Sequence, residues 1–153
     1  MDFEQRAREA GLDLDMHLTR VGTYEFAVAV GDLLFVAGSI DWDGSKPAFP
    51  GRVGADLDVN AGQQSARGAA ETILASVHQT IGSLNKVLRV VRLTGYVKSA
   101  PEFGDQPKVI NGASDLMVEV FGDAGRHARS AIGLAELPLG ASVEIDSIFH
   151  ITP

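Results

Sequence analysis

The segment from Ala128 to Ile151 limits the possible folds more than any other part of the chain. From Ala128 to Leu134 small and apolar residues alternate. Ala128, Ser130, Ile132 and Leu134 fall on one face, and Arg129, Ala131 and Gly133 on the other. A period of two is the period of a strand. Leu137-Pro138-Leu139-Gly140 is turn chemistry, because proline fixes φ and glycine admits positive φ. Alternation then resumes, with Val143, Ile145, Ser147, Phe149 and Ile151 against Glu144, Asp146, Ile148 and His150. The segment therefore predicts two adjacent strands joined by a tight connection. Arg129 is the one long cation in a strand of small and apolar residues. A guanidinium held there needs an anion, since burying an unpaired charge costs several kcal/mol or more. That anion is either Glu144 on the return strand or the carboxylate of a ligand.

The rest of the chain supplies the layer against which these strands pack. Phe3 to Ala10, closed by Gly11, predicts a short amphipathic helix with contacts through Phe3, Ala7 and Leu12. Residues 13–20 alternate weakly and read as a strand or an extended arm. Tyr24–Val30 and Leu33–Ala37 predict a hairpin turned at Gly31-Asp32. The second of these strands is nearly all apolar, which predicts cover on both faces. Gly38-Ser39 leaves room for a ligand or another backbone. Residues 40–50 read as a loop, and Gly51–Ala55 as a short third strand. Asp58-Val59-Asn60 caps a helix, and Ala66, Ala70, Ile73, Leu74, Val77 and Ile81 recur at helical spacing as far as Gly82. Lys86–Lys98 is rich in β-branched residues and predicts a long strand, with Arg89 and Arg92 at its solvent face. A second helix opens at Asp105-Gln106-Pro107-Lys108 and stops at Gly122. Strands grouped at both ends, with two helices between, predict an α+β layer with both helices on one sheet face. Phe26, Val28 and their neighbours would leave the other face apolar, and such a face is usually buried in an oligomer. Residues 1–153 read as one domain, with residues 1–20 as an N-terminal helix and arm.

Composition removes several kinds of chemistry. With no cysteine, thiolate zinc sites, iron–sulfur clusters, disulfides and cysteine nucleophiles are all excluded. A net charge of −7 repels a nucleic-acid backbone. No apolar run approaches a membrane span, and Met1-Asp2-Phe3-Glu4-Gln5-Arg6 is charged rather than signal-like, which predicts a cytoplasmic protein without a membrane partner. His17, His78, His127 and His150 have no metal-ligand spacing, so no metal site is expected. His127 shares a strand face with Arg129 and could stand at a pocket rim or simply end a loop. The Asp13/Asp15 and Asp41/Asp43 pairs read as solvated loop charges. Ser39, Ser99 and Ser130 lack the context of a nucleophile elbow.

Arg129 and Glu144 are the strongest pair. On residue type alone, an ion pair that holds the two strands together is the simpler reading. The functional reading is a carboxylate clamp with a general base beside it. A planar fork of donors fits a carboxylate bidentately, and a glutamate can activate water. Tyr24, at a strand end, would either keep its hydroxyl in water or turn it into the same pocket.

Gly22-Thr23-Tyr24, Gly31-Asp32-Leu33-Leu34-Phe35-Val36-Ala37-Gly38, Ala128-Arg129-Ser130, Glu136-Leu137-Pro138 and Val143-Glu144-Ile145-Asp146 together resemble the RidA (YjgF) family of imine deaminases. The resemblance spans about residues 20 to 151. Its specific part is the Ala-Arg-Ser element with a glutamate fifteen positions beyond the arginine. The Asp105–Asp115 stretch and the leading helix resemble a divergent branch of that family. The resemblance implies a chorismate-mutase-like α+β fold, a homotrimer with sites at the subunit interfaces, and cofactor-free hydrolysis of 2-imino acids and their enamine tautomers to 2-keto acids and ammonia. By the same resemblance Arg129 binds the substrate carboxylate, Glu144 positions water, Tyr24 is the site tyrosine and Gly38 supplies backbone contact. Asn111 falls near the family's helix asparagine, on a helix whose spacing differs. Ala131, on Arg129's strand face, completes the set of contact candidates. Ala37 stands where the family carries a pocket serine and offers no hydroxyl. That departure supports an alternative, a protein that binds a small carboxylate without turnover. Some relatives are described as RNA-cleaving or translation-inhibiting, which the acidic charge and the lack of a basic aromatic face disfavour.

Overall fold

In the computed structural model, which describes residues 2–153, the chain runs α1 (Phe3–Glu9), β1 (Ala27–Val30), β2 (Leu33–Ser39), α2 (Val59–Ile81), β3 (Val87–Lys98), α3 (Gln106–Phe121), β4 (Ala128–Leu134) and β5 (Val143–Ile151). The helix signals act as the sequence predicts. Asp58 Oδ1 accepts the Ala61 N–H at 2.8 Å and opens α2, which closes at Gly82 in the left-handed conformation. Ala66, Ala70, Ile73, Leu74 and Val77 of α2 are buried, as are Val109, Ala113, Leu116, Met117 and Val120 of α3. The two helices pack closely because one of them gives up a side chain. A Cβ on Gly112 would collide with the main-chain carbonyl of Gln63, so this crossing tolerates only glycine. α1 covers the end of the helical layer, where Phe3 meets Phe121 edge-on with ring centroids 5.1 Å apart.

The sheet order is β1-β2-β5-β3-β4, antiparallel except for the parallel pair β3–β4. Parallel neighbours need a long crossover, and α3 is that crossover. The expectation that β4 and β5 lie side by side is therefore wrong. β3 separates them, with Leu93 in register with Arg129 and Tyr96 with Glu144. The reason is burial. β5 places Val143, Ile145, Phe149 and Ile151 in the core, so it takes a central position between two strands. β4 carries alanine, glycine and serine and suits an edge. The connection between them spans the end of β3 and is fixed by Arg52, which donates to Ala135 O at 2.8 Å and to Ser99 O at 3.0 Å and pairs with Glu136 at 2.8 Å.

Three smaller expectations also change. Residues 51–55 form isolated bridges (Val53 to Leu57 and to Ser99) instead of a strand. Residues 13–20 form an arm without strand pairing, and β1 begins at Ala27 rather than Tyr24. β2 is covered on one face, with Leu34 and Val36 buried and Phe35 43% exposed. The helices lie on the face that carries Leu34, Leu93 and Phe149. The opposite face presents Val28, Val30, Phe35 and Ile132, all more than a third exposed.

Candidate active site

Glu144 and Arg129 start from the same alternation and end on opposite sides of the sheet. Glu144 alternates with core residues Val143 and Ile145, so its carboxylate projects from the open face. Arg129 alternates with Ser130, whose hydroxyl accepts from Arg92 Nη2 at 2.8 Å, and Arg129 itself turns toward α3. Its Nη1 donates to Asn111 Oδ1 at 2.8 Å and to Ser114 Oγ at 3.1 Å, and its Nη2 to Pro107 O at 3.3 Å. All three acceptors are neutral and belong to α3. The ion pair with Glu144 does not exist within one chain. Asn111 thus joins the arginine rather than the glutamate. Ala131 packs with the core on Arg129's side of the sheet. His127 sits behind the arginine, bonded to Ser114 Oγ at 2.9 Å and Gly125 O at 2.7 Å. Burial, and secondarily the nearby guanidinium, push its pKa down, so the neutral ring is favoured.

Glu144 lies in a cleft of about 690 Å³ together with Tyr24, Ala37, Gly38, Trp42 and Leu139. The backbone beside it is irregular. Between the pairs Val36–Ser147 and Ser39–Ile145, β2 has one residue more than β5, a bulge at Ala37-Gly38. Bulges re-aim side chains and are frequent beside active sites. Here the bulge brings residue 38 against the carboxylate. A Cβ on Gly38 would stand 2.9 Å from Glu144 Oε2, so glycine is needed for the carboxylate to keep its place. Burial pushes the Glu144 pKa up, and the like charge of Asp146 adds to the shift. Asp146 is held two residues along the same face by the Tyr96 hydroxyl, which donates to its Oδ2 at 2.9 Å. That bond also raises the Tyr96 pKa. A half-buried carboxylate with a raised pKa at the floor of a cleft is the usual setting of a general base.

The cleft contains residues that the strand pattern could not assign. The arm from Met16 to Thr19 forms one wall and Leu139 another. Gln79 Nε2 fixes the arm by donating to Leu14 O at 3.0 Å and Met16 O at 2.9 Å. That Asp146 shares a face with Glu144 is visible in the sequence, whereas Trp42 in the cleft and the Tyr96 hydroxyl on Asp146 carry no such signal. Asp41 departs from its expected role as a solvated charge. It is 2% exposed, accepts the Phe49 N–H through Oδ2 at 2.9 Å, and has no partner for Oδ1. Burial raises its pKa. Among the described residues no cluster of histidine and carboxylate side chains is arranged to hold a metal ion. No described helix is long and apolar enough to cross a membrane.

The five-stranded mixed sheet with its helices on one face is a known architecture. Residues 4–149 match the family described as "YjgF/chorismate_mutase-like, putative endoribonuclease", and the chain belongs to that family, the RidA (YjgF) family. A Trypanosoma cruzi relative, Protein TCP17, is 39% identical over 142 residues, covering 92% of this chain and 89% of its own. A crystal structure of an Agrobacterium tumefaciens protein of unknown function superposes with a TM-score of 0.89 at 43% identity, covering 98% of this chain and 92% of that one. A Shewanella oneidensis structure, described as an endoribonuclease of the same provisional kind, gives 0.93 at 30% identity, covering 99% and 100%.

Proposed function

We propose that the protein hydrolyses 2-imino acids to 2-keto acids and ammonia, at sites built from two copies of the chain. The observation that carries this reading is Glu144, a half-buried carboxylate of raised pKa at the floor of an open cleft and pressed against Gly38. Arg129 lies on the outermost strand, and its side chain is already oriented by Asn111 and Ser114. A fork held by neutral acceptors keeps its charge available for a substrate carboxylate. The sheet separates the two groups within one chain, so the edge of one copy must meet the cleft of the next. Such a contact joins two different surfaces and closes as a ring. A homotrimer is the ring that the family resemblance implies. The exposed apolar face with Val28, Val30, Phe35 and Ile132 is the surface such an assembly would cover.

In the proposed reaction Arg129 holds the carboxylate of the imino acid. Glu144 takes a proton from a water molecule, whose oxygen attacks the imine carbon. The carbon–nitrogen double bond becomes a single bond in a tetrahedral carbinolamine. Glu144 returns the proton to nitrogen, giving the neutral carbinolamine; it then carries the hydroxyl proton to the same nitrogen, and as the carbon–oxygen bond becomes a carbonyl the carbon–nitrogen bond breaks and a keto acid and ammonia leave. Water is the only co-reactant, and the balance needs no cofactor. The remaining site contacts would be Tyr24 at the cleft mouth and the main chain at Ala37 and Gly38. Release of ammonia from imines made freshly by an amino-acid oxidase tests the proposal. The expected result is a rate above buffer for the native protein, reduced to the buffer rate in Arg129→Ala. A native rate equal to buffer overturns it.

Ala37 favours a second reading, a binding protein for small carboxylates without turnover, because the cleft lacks a hydroxyl at that position. In that case keto acids would raise the melting temperature of the native protein but not of Arg129→Ala, and no ammonia would appear. RNA cleavage, named in the family's description, is disfavoured by the net charge of −7.

A further inference from the structure

Glu144 has two close neighbours on the open face that do not line the cleft, Tyr96 and Asp146. Glu144 is in register with Tyr96 on β3, and Tyr96 with Ile132 on β4, so the three side chains form one row across the sheet. The phenol ring therefore flanks Glu144 on the side opposite Gly38. Its hydroxyl does not turn to Glu144. It donates to Asp146 Oδ2 at 2.9 Å, and Asp146 lies two residues beyond Glu144, about 7 Å along the same strand face. A carboxylate free to swing into water is screened. One anchored by a hydrogen bond is a fixed charge. A fixed negative charge at that distance disfavours ionisation of Glu144 and leaves it the stronger base once ionised. The phenol keeps its proton for this bond, because the bond itself, and then burial, raises its pKa.

The other charged and titratable groups around Glu144 are few. Arg92 shares the face and donates to Ser130 Oγ at 2.8 Å. Tyr24 and Glu25 lie in the cleft, and Glu25 is paired at 3.2 Å with Arg20, which stands over Phe26. The proposed assembly adds Arg129 of a second copy. A carboxylate placed beside a guanidinium loses proton affinity, and Asp146 opposes that loss. The register and the Tyr96–Asp146 bond lie within one chain, so they hold whatever enters the cleft. We propose that Tyr96 and Asp146 are positioning residues for the base: Tyr96 anchors Asp146 beside Glu144, and the anchored charge keeps Glu144 basic enough to take a proton from water next to an arginine. The catalytic consequence rests on the deaminase reading above; the effect on Glu144 itself does not.

Two measurements separate this inference from the reading beneath it. The first is the pH profile of kcat/KM for ammonia release from the imine of L-leucine, which reports the free enzyme's essential base. In Asp146→Asn the acid limb should move to lower pH. The ratio of kcat/KM on that limb to kcat/KM on the plateau should rise by about threefold or more, the factor for a unit charge about 7 Å away. The plateau itself should fall, because the base is weaker. Tyr96→Phe keeps the ring and frees Asp146 to turn away, so it should move the limb in the same direction by less, and should add nothing in the Asp146→Asn background. The second measurement follows the side-chain carboxyl of Glu144 by NMR, assigned by its loss in Glu144→Gln. Its titration should also move to lower pH in Asp146→Asn. No turnover by the native protein, with the NMR titration still moved, overturns the deaminase reading and leaves the charge arrangement standing. Native turnover with a limb and a titration that stay in place in both variants, or with an equal loss at every pH, overturns the positioning role and leaves the deaminase. A Tyr96→Phe effect that persists beside Asp146→Asn overturns the anchor. No turnover and no moved titration overturns both.

Discussion

The two faces of the sheet were built by the same alternation, yet they ask opposite things of a charged side chain. On the helix side, Arg129 is surrounded by neutral acceptors from α3 that orient it and leave its charge unspent. On the open side, Glu144 is half-buried against Gly38, and this burial, with the like charge of Asp146 adding to it, disfavours its negative charge. One face prepares a cation to receive an anion, and the other prepares a carboxylate to take a proton. The proposed reaction needs both, and β3 keeps them apart. Under the proposed function, a chain that holds Arg129 and Glu144 on opposite faces has a reason to associate.

The largest expected effect follows from that separation. Arg129→Ala and Glu144→Gln should each lower kcat/KM by about 10²–10⁴, the range for losing a general base or an orienting clamp. Mixed and refolded together, the two inactive variants should recover about a quarter of the native activity, because random assembly places an intact arginine beside an intact glutamate in that share of sites. No recovery would place both groups of a site in one chain and break the comparison. Next comes the open face itself. Phe35→Asp puts a charge on the exposed apolar surface, and light scattering should report a monomer with activity lost and the circular dichroism spectrum retained. A monomeric native protein would remove the composite site altogether.

Gly38→Ala sharpens the picture of the carboxylate. The added Cβ would lie 2.9 Å from Glu144 Oε2 and must displace it. A misplacement on that scale costs about 10²-fold in kcat. KM should change little, because Arg129 is untouched. The smallest effect is on stability. The Asp41 pKa is raised in the folded protein by burial, so the folded state holds the proton more tightly than the unfolded chain. Its contribution is present below the unfolded carboxyl's pKa and is lost as pH rises through the folded value. Asp41→Asn mimics the protonated form. It should therefore gain stability over the native protein as pH increases from 4 to 7, by about 1 kcal/mol, the order of an unsatisfied buried polar atom. Thermal unfolding at both pH values checks this, and an equal difference at the two would show that the carboxyl does not titrate with folding.

The strands and helices that carry the candidate site could be read from the sequence because they are written in local signals. The strand from Ala128 to Leu134 has the predicted limits, Asp58 caps the predicted helix, and Glu144 stands out by alternating with core residues. The sequence places Asp41 in water because a carboxylate close to another in a loop usually faces solvent, yet it is buried. Its burial comes from the packing of the loop against Gly68 of α2, where a Cβ would lie 2.7 Å from the Asp41 Cβ. Short-range patterns carry no information about such contacts. Trp42 and Tyr96 were silent for the same reason, since each reaches its position through an element distant in sequence.

By itself the sequence determined the three helices and the strand from Ala128 to Leu134, the faces of α2 and α3 that turn to apolar neighbours, and that thiol chemistry is excluded. These depend on periodicity and composition, which are properties of neighbouring residues. Only the tertiary structure decided that β5 enters the middle of the sheet and β4 stays at its edge. Strand order depends on which strand can bury the most apolar surface between two partners, a competition among segments far apart in the chain. That placement, and not the short connection between the two strands, put Arg129 and Glu144 on different sides of one sheet.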